Sequence, residues 1–270
     1  MKTKKLEHLS EIFQEYDAFI IDLWGVMHDG VRLNSSAMKA VNELELNGKR
    51  IVFLSNAPRP TKKVVEFLKK MKMEDRFLKN VLTSGEAALN SLKKNKFGEK
   101  FYHLGPQRDD SLFFDIKTNK TTLDKCDFIL CTGLFDEESE NLQFYKDLLK
   151  NFTKKKLVCT NPDLVVHKGG EEEYCAGKIA EIFESLGGKV VYFGKPHKEV
   201  YTSCLKSDQK TLVIGDNLKT DIKGANNMNL DSILITSGVH KSKTINEKLI
   251  DKLLVEHNVT ANYFQKELTW

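Results

Sequence analysis

Four short stretches carry the residues that could do chemistry. In "FIIDLWGVMHDG" (19–30) an apolar run, Phe19-Ile20-Ile21, ends on Asp22, and Gly25 follows three residues later. "FLSN" (53–56) ends on Ser55-Asn56, and "FGKP" (193–196) carries Lys195. "VIGDNLKTDI" (213–222) holds Asp216 and, one helical turn on, Asp221. Hard oxygen ligands such as these suit magnesium, which keeps waters and takes one or two carboxylates plus substrate phosphate. A lysine and a hydroxyl are natural partners for phosphoryl oxygens. A carboxylate can attack phosphorus once a cation and a lysine offset the repulsion between two anions, and water then hydrolyses the acyl phosphate. Each piece has a plain alternative: Asp216-Asn217 as a helix cap, Ser55-Asn56 as a turn, Lys195-Pro196 as a loop.

The elements that must position these groups follow from the pattern of apolar residues. Strands are expected over 18–24, 50–56, 100–105, 127–133, 156–161, 190–195, 211–217 and 231–238. Helices are expected over 36–47, 61–72, 139–151, 176–186 and 218–227. Continuous apolar strands alternating with helices predict an α/β fold, with a parallel sheet covered on both faces. Ligands of such sheets sit beyond the carboxyl ends of the strands. Asp22, Ser55-Asn56, Lys195 and Asp216-Asn217 all lie at expected strand ends, so they should converge at one edge. The stretch between Ser55 and Lys195 is too long for one crossover and holds about three further strands. It predicts an inserted domain, giving a core of residues 1–83 and 187–270 and an insertion at 84–186. Leu6, Leu9, Phe13 and Tyr16 recur at helical spacing, so the charged N-terminus reads as an amphipathic helix packed on the body.

The order DxxGV, hhhhSN (h, apolar), GKP and GDNxxTD resembles the four motifs of the haloacid dehalogenase (HAD) superfamily. The closer match is to its type IIA, NagD-like phosphatases, carried by "GVMHDG" (25–30), "FLSN", "TNPD" (160–163), "FGKP", "VIGDNLKTDI" and "SGV" (237–239). The resemblance implies a Rossmann-like core with an inserted α/β cap. It implies a magnesium-dependent phosphatase that hydrolyses a small phosphate monoester (a sugar phosphate, nucleotide or cofactor phosphate) through an aspartyl-phosphate. Asp22 would be nucleophile and metal ligand. The backbone carbonyl of Trp24 and the carboxylate of Asp216 would complete the protein's share of the magnesium shell. Asp221 would orient a metal-bound water, while Ser55, Asn56 and Lys195 would bind and position the phosphoryl group.

Trp24 departs from the family pattern. Two residues after the nucleophile the family usually has a second aspartate, which protonates the leaving group and activates water. Such help contributes about 10²–10⁴-fold, and an indole provides neither. Three readings follow: a phosphatase with another acid/base, for which His28 and Asp29 are the nearby groups; a dehalogenase, which the intact "GDNLKTD" argues against; or a phosphate-ester-binding protein with weak or lost catalysis. In "NPDLVVHKGGEEEYCAGKIA" (161–180), Gly169-Gly170 allow a flexible loop and Asp163, His167 and Lys168 are the polar side chains expected to face the leaving group. Asp163 and Lys168 are the substrate-binding residues expected from the cap. An exposed hairpin is the structural alternative.

Composition narrows the rest. Net charge is +4, almost all from dispersed lysines, with arginine only at positions 32, 50, 59, 76 and 108. A nucleic-acid surface clusters its bases and favours arginine, so the partner expected is a small phosphorylated metabolite and not a nucleic acid. No apolar run approaches the ~20 residues of a membrane helix. No signal core precedes residue 19, so a cytoplasmic protein that binds no membrane is expected. Five scattered cysteines without a CxxC pair read as free buried thiols. Pro196 after Lys195 breaks a P-loop, and no GxGxxG is present. A homodimer through the cap is the assembly to test.

Overall fold

The computed structural model describes residues 3–168, 171–238 and 247–270. Its strands in chain order are β1 (Lys4–Lys5), β2 (Ala18–Asp22), β3 (Arg50–Ser55), β4 (Val81–Thr83), β5 (Phe101–Leu104), β6 (Phe128–Cys131), β7 (Lys156–Cys159), β8 (Val165–Lys168), β9 (Glu171–Tyr174), β10 (Lys189–Tyr192), β11 (Thr211–Gly215), β12 (Asp231–Ile235) and β13 (Tyr263–Gln265). The chain divides into two compact units: residues 1–55, 65–82 and 195–270, and residues 56–64 and 83–194.

The first unit is built on a seven-stranded sheet of order β1-β13-β12-β11-β2-β3-β4. From β1 across to β3 every adjacent pair is parallel. All five residues of β2 and of β11 are buried. Successive strand residues point to opposite faces, so unbroken burial means that both faces are covered. On the β12 side, Leu218, Ile222, Leu234, Ile250, Leu254 and Phe264 form one core cluster. Chain order reverses at β2 and β11: the sheet grows from β2 toward β3 and from β11 toward β12. That reversal is the topological switch point at which open α/β sheets bind ligands.

The second unit has its own parallel sheet of order β10-β7-β6-β5 and an antiparallel hairpin, β8-β9. Leu104, Ile129, Tyr145, Leu157, Ile179 and Phe183 are fully buried in its core. The segment 56–64 is tied to the start of the helix Ser84–Leu92: the Thr83 hydroxyl donates to the Arg59 carbonyl, the Ser84 hydroxyl to that of Ala57, and the Gly85 N–H to Ala57 as well. All five cysteines are buried and free.

Three expectations differ from the structure. The expected end of the insertion, 186, is followed by β10, which pairs in register with β7 from Lys189–Lys156 to Tyr192–Cys159. The second unit therefore runs to Gly194 and also takes in 56–64. Lys195 is not at the end of a core strand; it lies three residues past β10, where the chain re-enters the first unit. The N-terminal segment is not an α-helix: Lys4 and Leu6 donate backbone N–H groups to Asn262 and Phe264, and two short 3₁₀ turns follow (Leu9–Glu11, Phe13–Glu15). Edge pairing to β13 takes the amides a first helical turn would need. The Glu11 carboxylate accepts from the N–H groups of Glu7 and His8 and fixes the turn there. Leu6, Leu9 and Tyr16 are nonetheless buried as expected.

Candidate active site

Adjacent strands deliver the acids. Ile21 on β2 pairs with Ile214 on β11, so Asp22 and Asp216 lie one and two residues beyond that pair, on neighbouring strands. Asp22 pairs with Leu54 on β3, and Ser55 is the next residue. After β11, Asn217 caps a single π-helical turn, Leu218–Ile222, its side-chain oxygen accepting from the Lys219 N–H. That turn, of a kind frequent at functional sites, presents Asp221. Lys195 enters from the returning chain. Its Nζ donates to Asp22 Oδ1 at 2.5 Å and to Asp221 Oδ1 at 2.6 Å. Four expected groups, separated by up to 199 positions, thus meet in one unit.

The cluster is buried: Asp22 is 7% exposed, Lys195 and Asp216 3%, and Asp221 1%. Carboxylate oxygens of Asp22, Asp216 and Asp221 lie within 4.8 Å of one another. Burial, reinforced by the Asp221 and Asp216 carboxylates, pushes the Asp22 carboxyl well up, against the pull of Lys195. Burial acts to lower Lys195, but Asp22 and Asp221 outweigh it and hold the ammonium protonated. With all three acids ionised, the one ammonium of the cluster would leave two negative charges uncompensated among the described residues. Each like-charge pair at about 4 Å costs about 4 kcal/mol at an effective dielectric of about 20, so the site calls for a cation.

The donor set fits magnesium. Asp221 is committed elsewhere, its Oδ1 to Lys195 and its Oδ2 to the Asn217 N–H at 3.2 Å. Asp22 and Asp216 are the carboxylates suited to hold the ion, a number that magnesium prefers alongside waters. Two glycines make room for Asp216. A Cβ at Gly25 would lie 2.1 Å, and one at Gly238 1.8 Å, from Asp216 Oδ2. Sequence reading attached no such role to either glycine, although both fall inside the quoted motifs; the signal was glycine at the ends of "DLWG" and "TSG". Tyr201 was also missed. It is fully buried, and burial with the Asp221 charge raises its phenol. Val239, the last residue of "SGV", lies outside the described residues.

The turn after Asp22 places the departing residue. Trp24 is 54% exposed while Leu23, Val26, Met27 and His28 are buried. His28 Nδ1 accepts from the Gly30 N–H at 3.1 Å, so its proton sits on Nε2. Burial pushes the ring down to about 4, which keeps it neutral. Asp29 Oδ1 accepts from the N–H groups of Val31 and Arg32 and closes the turn. Both residues are thus occupied in building the loop.

The remaining expected residues fall in the second unit. Asn56 donates its side-chain amide to Asp163 Oδ1 at 3.0 Å, and the Asp163 N–H donates to Asn161 Oδ1. Asn56 is therefore brought to Asp163. Lys168 ends β8; its side chain, that of His167, and Gly169-Gly170 lie outside the described residues.

A family profile described as haloacid dehalogenase-like hydrolase matches residues 19–117, and a second, described as HAD-hydrolase-like, matches 192–260. The chain is 23% identical over 242 residues to 5'-nucleotidase YutF of Bacillus subtilis, covering 87% of this chain and 92% of that protein. It is 23% identical over 264 residues to the acid sugar phosphatase of Staphylococcus aureus, covering 94% and 96%. Among solved structures, a haloacid dehalogenase-like hydrolase from Brucella suis superposes with a TM-score of 0.81 at 27% identity, over 98% of this chain and 100% of that one. The two profiles contain Asp22, Lys195, Asp216 and Asp221, and on that agreement of sequence, fold and site the chain belongs to the haloacid dehalogenase-like hydrolases.

Proposed function

We propose that the chain is a magnesium-dependent phosphatase that hydrolyses a small phosphate monoester through an aspartyl-phosphate on Asp22. The observation that carries this reading is the buried Asp22 at the switch point, salt-bridged to Lys195 beside Asp216 and Asp221. Magnesium, when held by Asp22 and Asp216 with the Trp24 carbonyl, would neutralise phosphoryl charge.

The chain's own groups do the rest. An Asp22 oxygen attacks phosphorus, the P–O bond to the alcohol breaks, and its electron pair leaves on the alcohol oxygen. Lys195 holds a positive charge beside the attacking carboxylate, and Asp221 keeps that ammonium in place. Ser55, at the end of β3, is the hydroxyl proposed to bind the phosphoryl oxygens, with Asn56 next to it. Water then attacks the phosphorus of the mixed anhydride, releasing phosphate and the Asp22 carboxylate, and its proton goes to solvent. Asp163 and Lys168 are proposed to act on substrate choice and not on these steps.

A second reading, phosphate-ester binding with slow turnover, draws on Trp24. His28 is neutral and Asp29 holds a turn, so neither supplies an evident substitute for the missing acid. A panel of aryl, acyl, nucleoside and sugar phosphates, assayed with magnesium and with a chelator, tests both readings. The expected result is metal-dependent phosphate release that Asp22→Asn abolishes. Metal-independent halide release from 2-haloacids, or activity retained in Asp22→Asn, would contradict the proposal.

A further inference from the structure

The side chain of Trp24 has no part in the proposed chemistry, yet its placement is specific. It follows Asp22 by two residues, a span of at most ~7 Å of extended chain. Gly25, the next residue, packs directly on the Asp216 carboxylate. An indole this large and 54% exposed is an anomaly beside a cluster whose members are all nearly buried.

The ring is also held. Gly30, at φ +91°, lies under it: a Cβ there would sit 2.5 Å from the Trp24 Cη2 atom. The His28 imidazole meets the indole edge-on, with ring centroids 5.3 Å apart and planes at 79°. His28 also meets Phe67 edge-on at 5.7 Å and 77°, and its Nδ1 is fixed by the Gly30 N–H. Phe67 is itself 38% exposed. Backing of this kind removes the rotamer freedom that a stacking contact would otherwise have to freeze.

We propose that the Trp24 indole is a specificity-determining platform on which a planar aromatic ring of the substrate stacks, so that phosphate esters carrying such a ring are preferred over sugar and polyol phosphates. The inference rests on the phosphatase reading and names its substrate class. Stacking on an aromatic face suits any planar ring and gives aliphatic alcohols nothing comparable. The same substitution that removes the acid thereby adds selectivity for esters whose ring is attached at oxygen, because an aryloxide departs without a proton.

Two readouts test it. In Asp22→Asn/Trp270→Phe, Trp24 is the one remaining tryptophan; phenyl phosphate should quench its fluorescence saturably and glycerol phosphate should not. A nucleoside monophosphate that quenches as strongly would support the platform with a base as its ring. In otherwise wild-type protein, the ratio of kcat/KM for phenyl phosphate to that for acetyl phosphate should fall roughly tenfold in Trp24→Leu and return in Trp24→Phe, the loss lying mainly in KM. An unchanged ratio in Trp24→Leu, or equal quenching by phenyl and glycerol phosphates, would overturn the platform. Ring-selective quenching without hydrolysis of any ester would instead sink the phosphatase reading and leave the platform standing.

Discussion

Lys195 is the residue on which the charge balance of the site turns. It donates to two buried carboxylates at once, and with it removed Asp22 and Asp221 would face each other without a counter-ion. Breaking a buried pair by deleting one partner costs about 3–5 kcal/mol. Lys195→Met should therefore lower unfolding stability by that amount in metal-free protein, and added magnesium should recover part of the loss. A loss below about 1 kcal/mol in denaturant titrations would mean that the carboxylates are neutral in the folded state. Asp216 makes the complementary case. As one of two proposed carboxylate ligands, its change to Asn should weaken magnesium binding by at least about tenfold in titration calorimetry. Equal affinity in the two proteins would remove Asp216 from the metal site.

At the scale of the element, the turn 23–33 is a device built around a neutral histidine. Its folded value near 4, against an ordinary 6.5, means that the unfolded chain takes up a proton first as pH falls. The stability this ring contributes is complete above about pH 6.5 and is lost progressively toward pH 4. Between about pH 7.5 and about pH 5 the loss amounts to about 2 kcal/mol. Wild type should lose that much more than His28→Asn over the same interval, the Asn amide oxygen replacing Nδ1 as acceptor for Gly30. Equal losses would show that His28 titrates normally.

The strands β2, β3, β11 and β12 are legible because each holds a continuous apolar run of at least three residues. The three-residue strands β4 and β13 carry too few positions for a period, and only pairing makes them strands. The helix Ser84–Leu92 was missed despite a readable signal: Thr83 with Glu86 is the S/T-x-x-E pattern, and the Thr83 hydroxyl accepts from the Glu86 N–H. The N-terminal periodicity was real, since Leu6, Leu9 and Tyr16 are buried. It did not make a helix because pairing with β13 claimed the backbone first.

For the molecule as a whole, an inserted unit between Ser55 and Lys195 was legible from chain length and strand count, while its end was not. β10 has the same apolar composition as a core strand, and only its register with β7 assigns it to the second sheet. The convergence of Asp22, Lys195, Asp216 and Asp221 was legible because four motifs fell in order; the crowding of Gly25 and Gly238 on Asp216 was not, being a matter of three-dimensional distance. No described helix is long and apolar enough to cross a membrane. On the proposed mechanism Asp22 carries the phosphoryl group between two unequally assisted steps. With Trp24 in place of an acid, an aryl phosphate should phosphorylate Asp22 readily while water attack stays slow. Rapid quench of the magnesium-loaded protein with an aryl phosphate, followed by peptide mass analysis, measures this directly. The expected result is a burst of phenol equal to the enzyme present, one phosphoryl group located on Asp22, and loss of the burst with faster turnover in Trp24→Asp. Linear release of phenol with no phosphoryl group on Asp22 would contradict it.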